Sequence, residues 1–484
     1  MSTIHDLQPA IVWNNFYQLT QQPRPSKHEE KVRAFLLQWG KDHGVETFAD
    51  ETGNVIMRIP ATPGYENRKT VILQGHMDMV PQKNNDVEHD FVKDPIETWI
   101  DGEWIKAKGT TLGADDGLGV AMAMAVAEDK SVKHGPIEVL ITYDEETGMT
   151  GANLLKPHTL KGDILINLDS ETEGELYVGC AGGLDTEAYG RYEQKPRPKG
   201  YTAYSIKVKG CQGGHSGMDI ILCRANANRV EARLLYNILK KTDAKLVWFE
   251  GGNMRNAIPR EAEAVIYTKD DLKVARIVKK IGKEIITEFD QSDPNLSIIM
   301  EPAQNVRKKY VEEETALKYV QAVLACPDGV ERMSQTMPGI VETSNNLAIV
   351  KIKDGKISII TLMRSFVDSA KVALSQKVAS VLNLAGISTR FTGAYSGWAP
   401  NGDSEIMKVM QKTYKDMFGK DPEVMAIHAG LECGIIGGIY PNLDMISMGP
   451  TLKSPHSPDE RAYIPSVQKV WDFLKAVLEA IPEK

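Results

Sequence analysis

Four short apolar segments between residues 54 and 169 place the strongest constraint on the fold. They are NVIMRIP, KTVILQGH, PIEVLITYD and DILINLD. Each has the length and composition of a buried strand, and helix-like segments such as GLGVAMAMAVAED separate them. Strands that alternate with helices in this way predict an α/β fold whose sheet is mostly parallel and flanked by helices.

The pattern changes after about Gly183. YTAYSIKVKGCQGG has the alternation of a strand with one solvated face, and RANANRVEARLLYNILKK and KVARIVKKIGKEIITEF have helical periodicity. These segments predict an inserted α+β domain at 186–392, which interrupts a first domain formed by 1–185 and 393–484. A chain of 484 residues is long enough for two domains.

Two helices are expected near the ends of the chain. Ser26 and Glu29 have the spacing of a capping box, and Gly44 should end the helix that follows. Near the C-terminus, Ser466 should cap VQKVWDFLKAVLEAI, whose apolar stripe is expected to pack against the first domain.

Charge and composition argue against several classes of protein. Hydrophobic residues make up 42% of the chain, and no apolar run approaches the roughly 20 residues of a membrane span. The formal net charge of −8 argues against nucleic acid as a partner. The N-terminal sequence lacks the features of a secretory signal, and the five cysteines are scattered without a CxxC pair. We therefore expect a cytoplasmic protein without a disulfide framework.

Acidic and histidine side chains follow the predicted strands, where open α/β sheets place their functional sites. They are, in chain order, His76, Asp78, Asp115, Asp116, Glu145, Glu146 and Asp169. Taken singly, each has an ordinary explanation, because an aspartate often caps a helix and paired glutamates usually lie in a solvated turn. Together they would crowd several carboxylates, which costs Coulomb energy unless a cation is present. A divalent metal site is the sharper prediction.

Six motifs resemble those of the M20 family of metallopeptidases, and in particular its bacterial aminoacyl-histidine dipeptidase branch. They are QGHMDMVPQ, TTLGADDGLGVAMAMA, DEETGMTGA, NLDSE, GGHSGMDI and SPHSPDE. Their order is that of the family, and the resemblance covers nearly the whole chain. It implies a zinc-peptidase catalytic domain for 1–185 and 393–484, and a lid domain for 186–392.

The resemblance also implies two zinc ions per chain, with Co²⁺ or Mn²⁺ as possible substitutes. The implied ligands are His76 and Asp169 for one ion, Glu146 and His456 for the other, and Asp115 as the bridge. Imidazole and carboxylate groups are suitable zinc ligands. The three carboxylates would offset three of the four positive charges of two Zn²⁺ ions.

Residues beside the ligands receive roles from the same resemblance. Asp78 would accept a hydrogen bond from the second ring nitrogen of His76 and fix its tautomer. Glu145 would be the general base that takes a proton from the attacking water. The family also implies a cis peptide bond between Asp115 and Asp116. Asn or Lys is more usual at the second of these positions, and the sequence gives Asp116 no role.

The inserted domain contributes a second set of candidates. His215 in GGHSG resembles the lid histidine that hydrogen-bonds the carbonyl oxygen as it becomes an oxyanion. Arg364, with Asn253 or Asn256, resembles the clamp for the substrate carboxylate, since arginine can donate two parallel hydrogen bonds. A glycine-rich turn with a surface histidine, and an ordinary surface arginine, are the alternatives.

The segment MAIHAGLECGII resembles a substrate-pocket segment in the returning part of the catalytic domain. It contains His428 and Glu432. Glu432 could bind the free α-amino group of the substrate, or it could pair locally, and the sequence does not choose between the two.

The resemblance thus implies a cytoplasmic two-zinc dipeptidase that hydrolyses short peptides with a free carboxylate, including Xaa-His dipeptides. An N-acyl amino acid deacylase would use the same site on another amide. A non-catalytic metal-binding scaffold is the alternative from a different class. We expect dipeptide substrates, no nucleic-acid or membrane partner, and a homodimer in which His215 could act across subunits.

Overall fold

A computed structural model describes residues 3–304, 306 and 308–484. Contacts within the chain divide it into two compact units. Unit 1 consists of Met1–Gly179, Trp398–Ala426 and Leu431–Lys484, and unit 2 consists of Cys180–Gly397 and Ile427–Gly430. Among the described residues, no helix is long and apolar enough to cross a membrane.

The first segment of unit 1 contains both helices and strands. Its helices are α1 (Ala10–Thr20), α2 (Glu30–Asp42), α3 (Ala114–Glu128), α4 (Glu145–Gly148) and α5 (Thr150–Leu154). Its strands are β1 (Glu46–Ala49), β2 (Val55–Ile59), β3 (Val71–His76), β4 (Thr98–Asp101), β5 (Trp104–Ala107), β6 (Ile137–Thr142), β7 (Ile164–Asn167) and β8 (Glu175–Cys180).

Helix α2 forms where the periodicity predicts it, but the predicted capping box is wrong. Ser26 Oγ instead donates a hydrogen bond to Asp78 Oδ2 at 2.8 Å. Glu29 Oε1 accepts the backbone N–H of Lys27, and neither side chain caps α2. A tertiary partner has replaced the local one. The helix ends just before Gly44, which has a φ of 68°.

Among its described residues, unit 2 contains four α-helices and most of the remaining strands. Its helices are α6 (Ala227–Lys241), α7 (Asp271–Glu288), α8 (Glu313–Ala325) and α9 (Asp368–Leu384). Its strands are β9 (Gly182–Arg191), β10 (Gln194–Pro196), β11 (Thr202–Lys209), β12 (Gly214–His215), β13 (Lys245–Gly251), β14 (Ala257–Ile258), β15 (Ala262–Thr268), β16 (Ser297–Pro302), β17 (Lys309–Val311), β18 (Gly329–Met333), β19 (Val341–Lys353), β20 (Lys356–Ser365) and β21 (Ser388–Tyr395).

The main sheet of unit 2 is antiparallel and has the order β16-β11-β15-β13-β19-β20-β9-β21, with β18 also paired to β19. Along the sheet, β16, β11, β15 and β13 are the fourth, first, third and second of this group in chain order. The strands β9, β19, β20 and β21 repeat that order in reverse. Unit 2 is therefore two βαββαβ modules joined through β13 and β19. The predicted α+β character is confirmed.

One face of this sheet carries the helices, and the other is partly covered. Apolar residues of α6, α7, α8 and α9 share one core cluster with inward-facing strand residues such as Ile266. Its neighbours Val265 and Tyr267 belong to a second, smaller cluster. Because side chains alternate along a strand, that cluster lies on the opposite face. The sheet face that the sequence predicts to be solvated is therefore exposed to water only in part.

The boundaries of unit 2 differ from the predicted range of 186–392. In chain order its sheet begins with β9 at Gly182 and ends with β21 at Tyr395, so it extends beyond that range at both ends. The short segment Ile427–Gly430 also belongs to unit 2.

The rest of unit 1 completes its sheet. The helices are α10 (Glu405–Phe418), α11 (Glu432–Ile439) and α12 (Ile464–Ala480), and the strands are β22 (Glu423–Ile427), β23 (Asp444–Ser447), β24 (Leu452–Lys453) and β25 (Arg461–Tyr463). The eight strands have the order β1-β2-β6-β3-β7-β23-β8-β22. Pairing is parallel across β6-β3-β7-β23 and antiparallel between β1 and β2, between β2 and β6, and between β23 and β8. The α/β prediction is confirmed for a sheet that is mixed, with its parallel strands at the centre.

Helix α12 packs within unit 1 and starts earlier than expected. It begins at Ile464, with a proline in its first turn. Ser466 therefore lies inside the helix and is not its N-cap. Its hydroxyl donates to the carbonyl of Tyr463 at 2.6 Å and accepts the N–H of Thr451 at 2.9 Å.

Candidate active site

The acidic candidates of the first segment lie at one edge of the unit 1 sheet. Strands β6, β3 and β7 are parallel neighbours, so their carboxyl ends meet at that edge. His76 ends β3, and Asp169 follows β7 by two residues. Glu145 and Glu146 form the first turn of α4, just past β6.

Asp115 lies at the centre of the cluster. Its Oδ1 is 3.1 Å from Nε2 of His76, and its Oδ2 is 3.1 Å from Nε2 of His456. Asp169 Oδ1 lies 3.6 Å from the same nitrogen of His76. Glu146 Oε2 lies 3.0 Å from Nε2 of His456. A residue near the C-terminus thus joins candidate ligands from the first half of the chain.

Asp115 belongs to two groups of potential ligand atoms, and within each group the atoms lie within 4.8 Å of one another. One contains His76 and Asp169, and the other contains Glu146 and His456. Glu146 Oε1 is buried and has no hydrogen-bond partner among the described residues. Carboxylate oxygens and imidazole nitrogens are donors that zinc accepts. The residues therefore fit a pair of metal ions.

Charges in this cluster perturb one another strongly. Burial opposes protonation of His76, yet Asp169 and Asp115 raise its pKa well above that of an exposed imidazole. Hydrogen bonds to Asp115 and Glu146 raise the pKa of His456 to about 11. Burial and the charge of nearby carboxylates also raise the pKa of Asp169. The excess negative charge favours bound cations.

Asp78 organises the backbone around this cluster. Its Oδ1 accepts the N–H of Glu145 at 3.0 Å, and its Oδ2 accepts the N–H of Glu146 at 3.3 Å. Nδ1 of His76 lies 3.2 Å from the carbonyl oxygen of Asp78 and 3.4 Å from Oδ1 of Asp78. Because Nδ1 faces Asp78, Nε2 faces the cluster.

Asp116, to which the sequence gives no role, makes defined contacts beside this cluster. The Asp115–Asp116 bond is cis, as the resemblance implied. Asp116 Oδ2 accepts the N–H of His76 at 3.2 Å, and Oδ1 accepts the N–H of Gly119 at 3.1 Å. Burial and the charge of Asp115 raise the pKa of Asp116 to about 8. A Cβ at Gly75 would lie 2.1 Å from Oδ2, so any other residue there would displace the Asp116 carboxylate from these contacts.

A chain of polar side chains crosses the same edge of the sheet. Ser447 donates to Asn167, whose amide donates to Gln74 Oε1 at 2.6 Å. Gln74 Nε2 and Thr142 Oγ1 both donate to Glu432 Oε2, each at 2.6 Å. Glu432 therefore pairs locally, whereas its Oε1 is buried and has no hydrogen-bond partner in the described part of the chain.

Within unit 2, His215 and Arg364 form a separate cluster. Arg364 is 5% exposed, which excludes the surface alternative. It donates to Ser216 Oγ at 3.3 Å and to the hydroxyl of Tyr395 at 3.0 Å. A terminal nitrogen of Arg364 lies 3.4 Å from Nε2 of His215.

Backbone contacts define the tautomer of His215. Its Nδ1 accepts the N–H groups of Gly217 at 3.3 Å and Met218 at 3.2 Å. Burial and the charge of Arg364 lower the pKa of His215, so the ring is neutral and its proton is on Nε2. The Nε2–H group and the guanidinium are two adjacent donors, and a single oxygen acceptor can bind both.

The other substrate-binding candidates are more dispersed. The side chains of Asn253 and Asn256 are exposed, and the carbonyl of Asn256 accepts the N–H of Ser216 at 2.8 Å. His428 belongs to unit 2, so its predicted place in the catalytic domain is wrong. Its Nε2 hydrogen-bonds Ser344 Oγ at 2.7 Å, and its ring packs edge-on against Phe366.

Sequence reasoning missed two buried residues beside the ligands, Arg24 and Glu460. Glu460 ends the SPHSPDE motif four residues after His456, and that spacing is the only signal of its importance. Arg24 has no signal, since its partners are backbone carbonyls elsewhere in the chain.

This arrangement belongs to a known class of hydrolase. Residues 72–480 match the model of the peptidase family M20/M25/M40. The chain is a member of that family, which confirms the resemblance and defines it as a hydrolase of peptide bonds.

Individual relatives match over the full length. The cytosol non-specific dipeptidase of Escherichia coli strain K12 is 43% identical over 100% of both chains. The crystal structure of an aminoacylhistidine dipeptidase from Vibrio alginolyticus is 45% identical, with a TM-score of 0.95 over 100% of this chain and 99% of that one. The aminopeptidase PepT from Bacillus cereus is 18% identical, with a TM-score of 0.56 over 98% and 99% of the two chains, and shows the fold alone.

Proposed function

We propose that this chain is a two-zinc dipeptidase that hydrolyses dipeptides with a free carboxylate, Xaa-His among them. The observation that carries the proposal is the membership of Asp115 in both groups of ligand atoms. The dipeptidases of Escherichia coli and Vibrio alginolyticus that resemble this chain support the substrate class.

The ligand set assigns each zinc ion its residues. His76 and Asp169 would hold one ion, Glu146 and His456 the other, and Asp115 both. When bound, the ions would polarise the scissile carbonyl and increase the acidity of a water molecule. Co²⁺ or Mn²⁺ would supply the same chemistry.

Glu145 would carry the proton. Its carboxylate lies within 4.8 Å of ligand atoms of His76 and Glu146. Burial and the nearby charge of Asp169 raise the pKa of Glu145 well above that of an exposed glutamate. Such a group readily accepts a proton from water and can pass it to the leaving amine.

His215 and Arg364 would bind substrate oxygens. The Nε2–H of His215 suits a carbonyl oxygen that becomes negative, and the guanidinium suits a carboxylate. Asn253 and Asn256 are proposed to assist that clamp. Substrate contacts by the buried residues His428 and Glu432 stay predictions.

A comparison of two substrates tests the proposal. Metal-free protein supplied with Zn²⁺ should hydrolyse Ala-His and leave N-acetyl-Ala-His largely intact. Preference for the acetylated compound would instead favour an N-acyl amino acid deacylase. Zinc binding without hydrolysis of any peptide in a broad panel would favour a non-catalytic scaffold.

We also propose a cytoplasmic location and a homodimer. The name of the Escherichia coli relative supports the location. Mixing the inactive variants Glu145→Gln and His215→Ala tests whether His215 acts across subunits, because recovery of activity requires residues from two chains.

A further inference from the structure

The segment that carries Asp115 is bound by one distant carboxylate. Glu460 Oε2 accepts the N–H groups of Leu112 at 2.7 Å and Gly113 at 3.0 Å. Its Oε1 accepts those of Ala114 at 2.8 Å and Asp115 at 3.3 Å. These amides precede or begin α3 and lack helical partners. Glu460 is 2% exposed, so the contacts are shielded from solvent.

Arg24 holds the same segment from its carbonyl side. One terminal nitrogen donates to the carbonyl of Gly113. The other donates to the carbonyls of Met77 and Asp78, each at 3.0 Å. Arg24 is also buried. It therefore ties the segment that follows His76 to the segment that carries Asp115.

Glu460 lies in the same loop as a ligand. His456 precedes it by four residues, and the N–H of Glu460 donates to the carbonyl of Ser457 at 2.9 Å. Contacts of Glu460 with the Asp115 segment thus also locate the His456 loop. The Glu460 carboxylate thus brings together Asp115 and His456, whose side chains are 3.1 Å apart.

We propose that Glu460 is a positioning residue for the metal ligands Asp115 and His456, and that Arg24 supports the same segment. The proposal rests on the two-metal function proposed above. Outer partners of metal ligands typically change metal affinity or activity by about 10- to 100-fold when mutated.

Glu460→Gln tests the role with little change in volume. Glutamine presents one oxygen and one amide group, so two of the four N–H donors would face another donor. We expect the variant to bind Zn²⁺ about 10- to 100-fold more weakly than the wild type. The measurement is titration of metal-free protein in competition with a chromophoric chelator.

Asp293→Asn is the matched control. Asp293 is also 2% exposed and accepts the backbone N–H groups of Gln212 and Ala225, each at 2.8 Å, within unit 2. Both variants should lower the melting temperature of metal-free protein, but only Glu460→Gln should weaken Zn²⁺ binding. Equal Zn²⁺ affinities in the two variants would overturn the proposal.

Arg24→Lys provides the second variant if Glu460→Gln does not fold. Lysine keeps the charge but cannot span the three carbonyls, so Zn²⁺ binding should again weaken. Wild-type affinity for Zn²⁺ in a folded variant overturns the positioning role. Failure of both Glu460→Gln and Arg24→Lys to fold also overturns it, because the two residues would then serve folding alone. Wild-type protein that binds no Zn²⁺ would instead refute the proposed function.

Discussion

Asp78→Asn is the substitution that the geometry constrains most closely. The two carboxylate oxygens of Asp78 accept hydrogen bonds from the N–H groups of Glu145 and Glu146 and from the hydroxyl of Ser26. One of them also faces Nδ1 of His76. Asparagine keeps the shape but replaces one oxygen with a donor. With the amide nitrogen at the Oδ1 position, two of the four contacts would place donor against donor. At the Oδ2 position the Ser26 hydroxyl can turn to accept, but the N–H of Glu146 would still face a donor.

The magnitude follows from those contacts. A hydrogen bond to a charged group contributes about 1.5–3 kcal/mol, so losing one or two should lower the free energy of unfolding by about 1.5 kcal/mol at the lower bound. Misplacement of His76 and Glu145 should also lower kcat/KM by about 10- to 100-fold. That loss corresponds to about 1.4–2.7 kcal/mol of transition-state stabilisation.

Hydrolysis of Ala-His at saturating Zn²⁺ and chemical denaturation measure the two effects. Ser26→Ala is the graded control because it removes only one hydrogen bond to the Asp78 carboxylate, which contributes about 1.5–3 kcal/mol, and introduces no opposed donor. It should lower kcat/KM less than tenfold. If Asp78→Asn stays within twofold of wild type in kcat/KM, Asp78 does not position the catalytic residues.

Three further substitutions test the general base, the contact with the substrate carboxylate, and the ionisation of a buried glutamate in unit 2. Glu145→Gln should retain bound Zn²⁺ and lower turnover of Ala-His by about 10²- to 10⁴-fold, measured by metal content and steady-state kinetics. Arg364→Lys should lower kcat/KM about tenfold or more for Ala-His but much less for Ala-histidinamide, which lacks the carboxylate. Burial and Glu263 raise the pKa of Glu231, so its folded pKa exceeds the unfolded value of about 4.3 and stability falls as pH rises between them. Glu231→Gln should therefore raise the melting temperature more at pH 8 than at pH 4.

Each of these has a result that would contradict it. Wild-type turnover in Glu145→Gln would remove that residue as the base. Equal losses on the two substrates would show that Arg364 supports unit 2 without binding a carboxylate. A pH-independent effect of Glu231→Gln would mean that the glutamate does not titrate between the two values.

Much of the site could be predicted because its side chains follow recognisable strands. His76, Glu146 and Asp169 are near strand ends, and parallel pairing brings those ends together. The meeting of Asp115 with His456 could not be derived from spacing alone, since the two are 341 residues apart. It required the family's motif order.

The missed features depend on tertiary contacts. Ser26 and Glu29 match a capping box, but Ser26 binds Asp78 because the fold offers a buried charged acceptor. Arg24 and Glu460 bind backbone groups, which carry no residue-specific signal. In unit 2, one βαββαβ module is inserted into the other, so neighbouring strands such as β9 and β20 are separated by that module in the sequence.

The number of Zn²⁺ ions that restore chelator-treated protein tests the central claim most directly. Stepwise addition of Zn²⁺, with binding and Ala-His hydrolysis followed in the same samples, should show two ions bound per chain and activity that depends on them. Full activity without metal, or saturation at a single ion per chain, would contradict a two-zinc site built around Asp115.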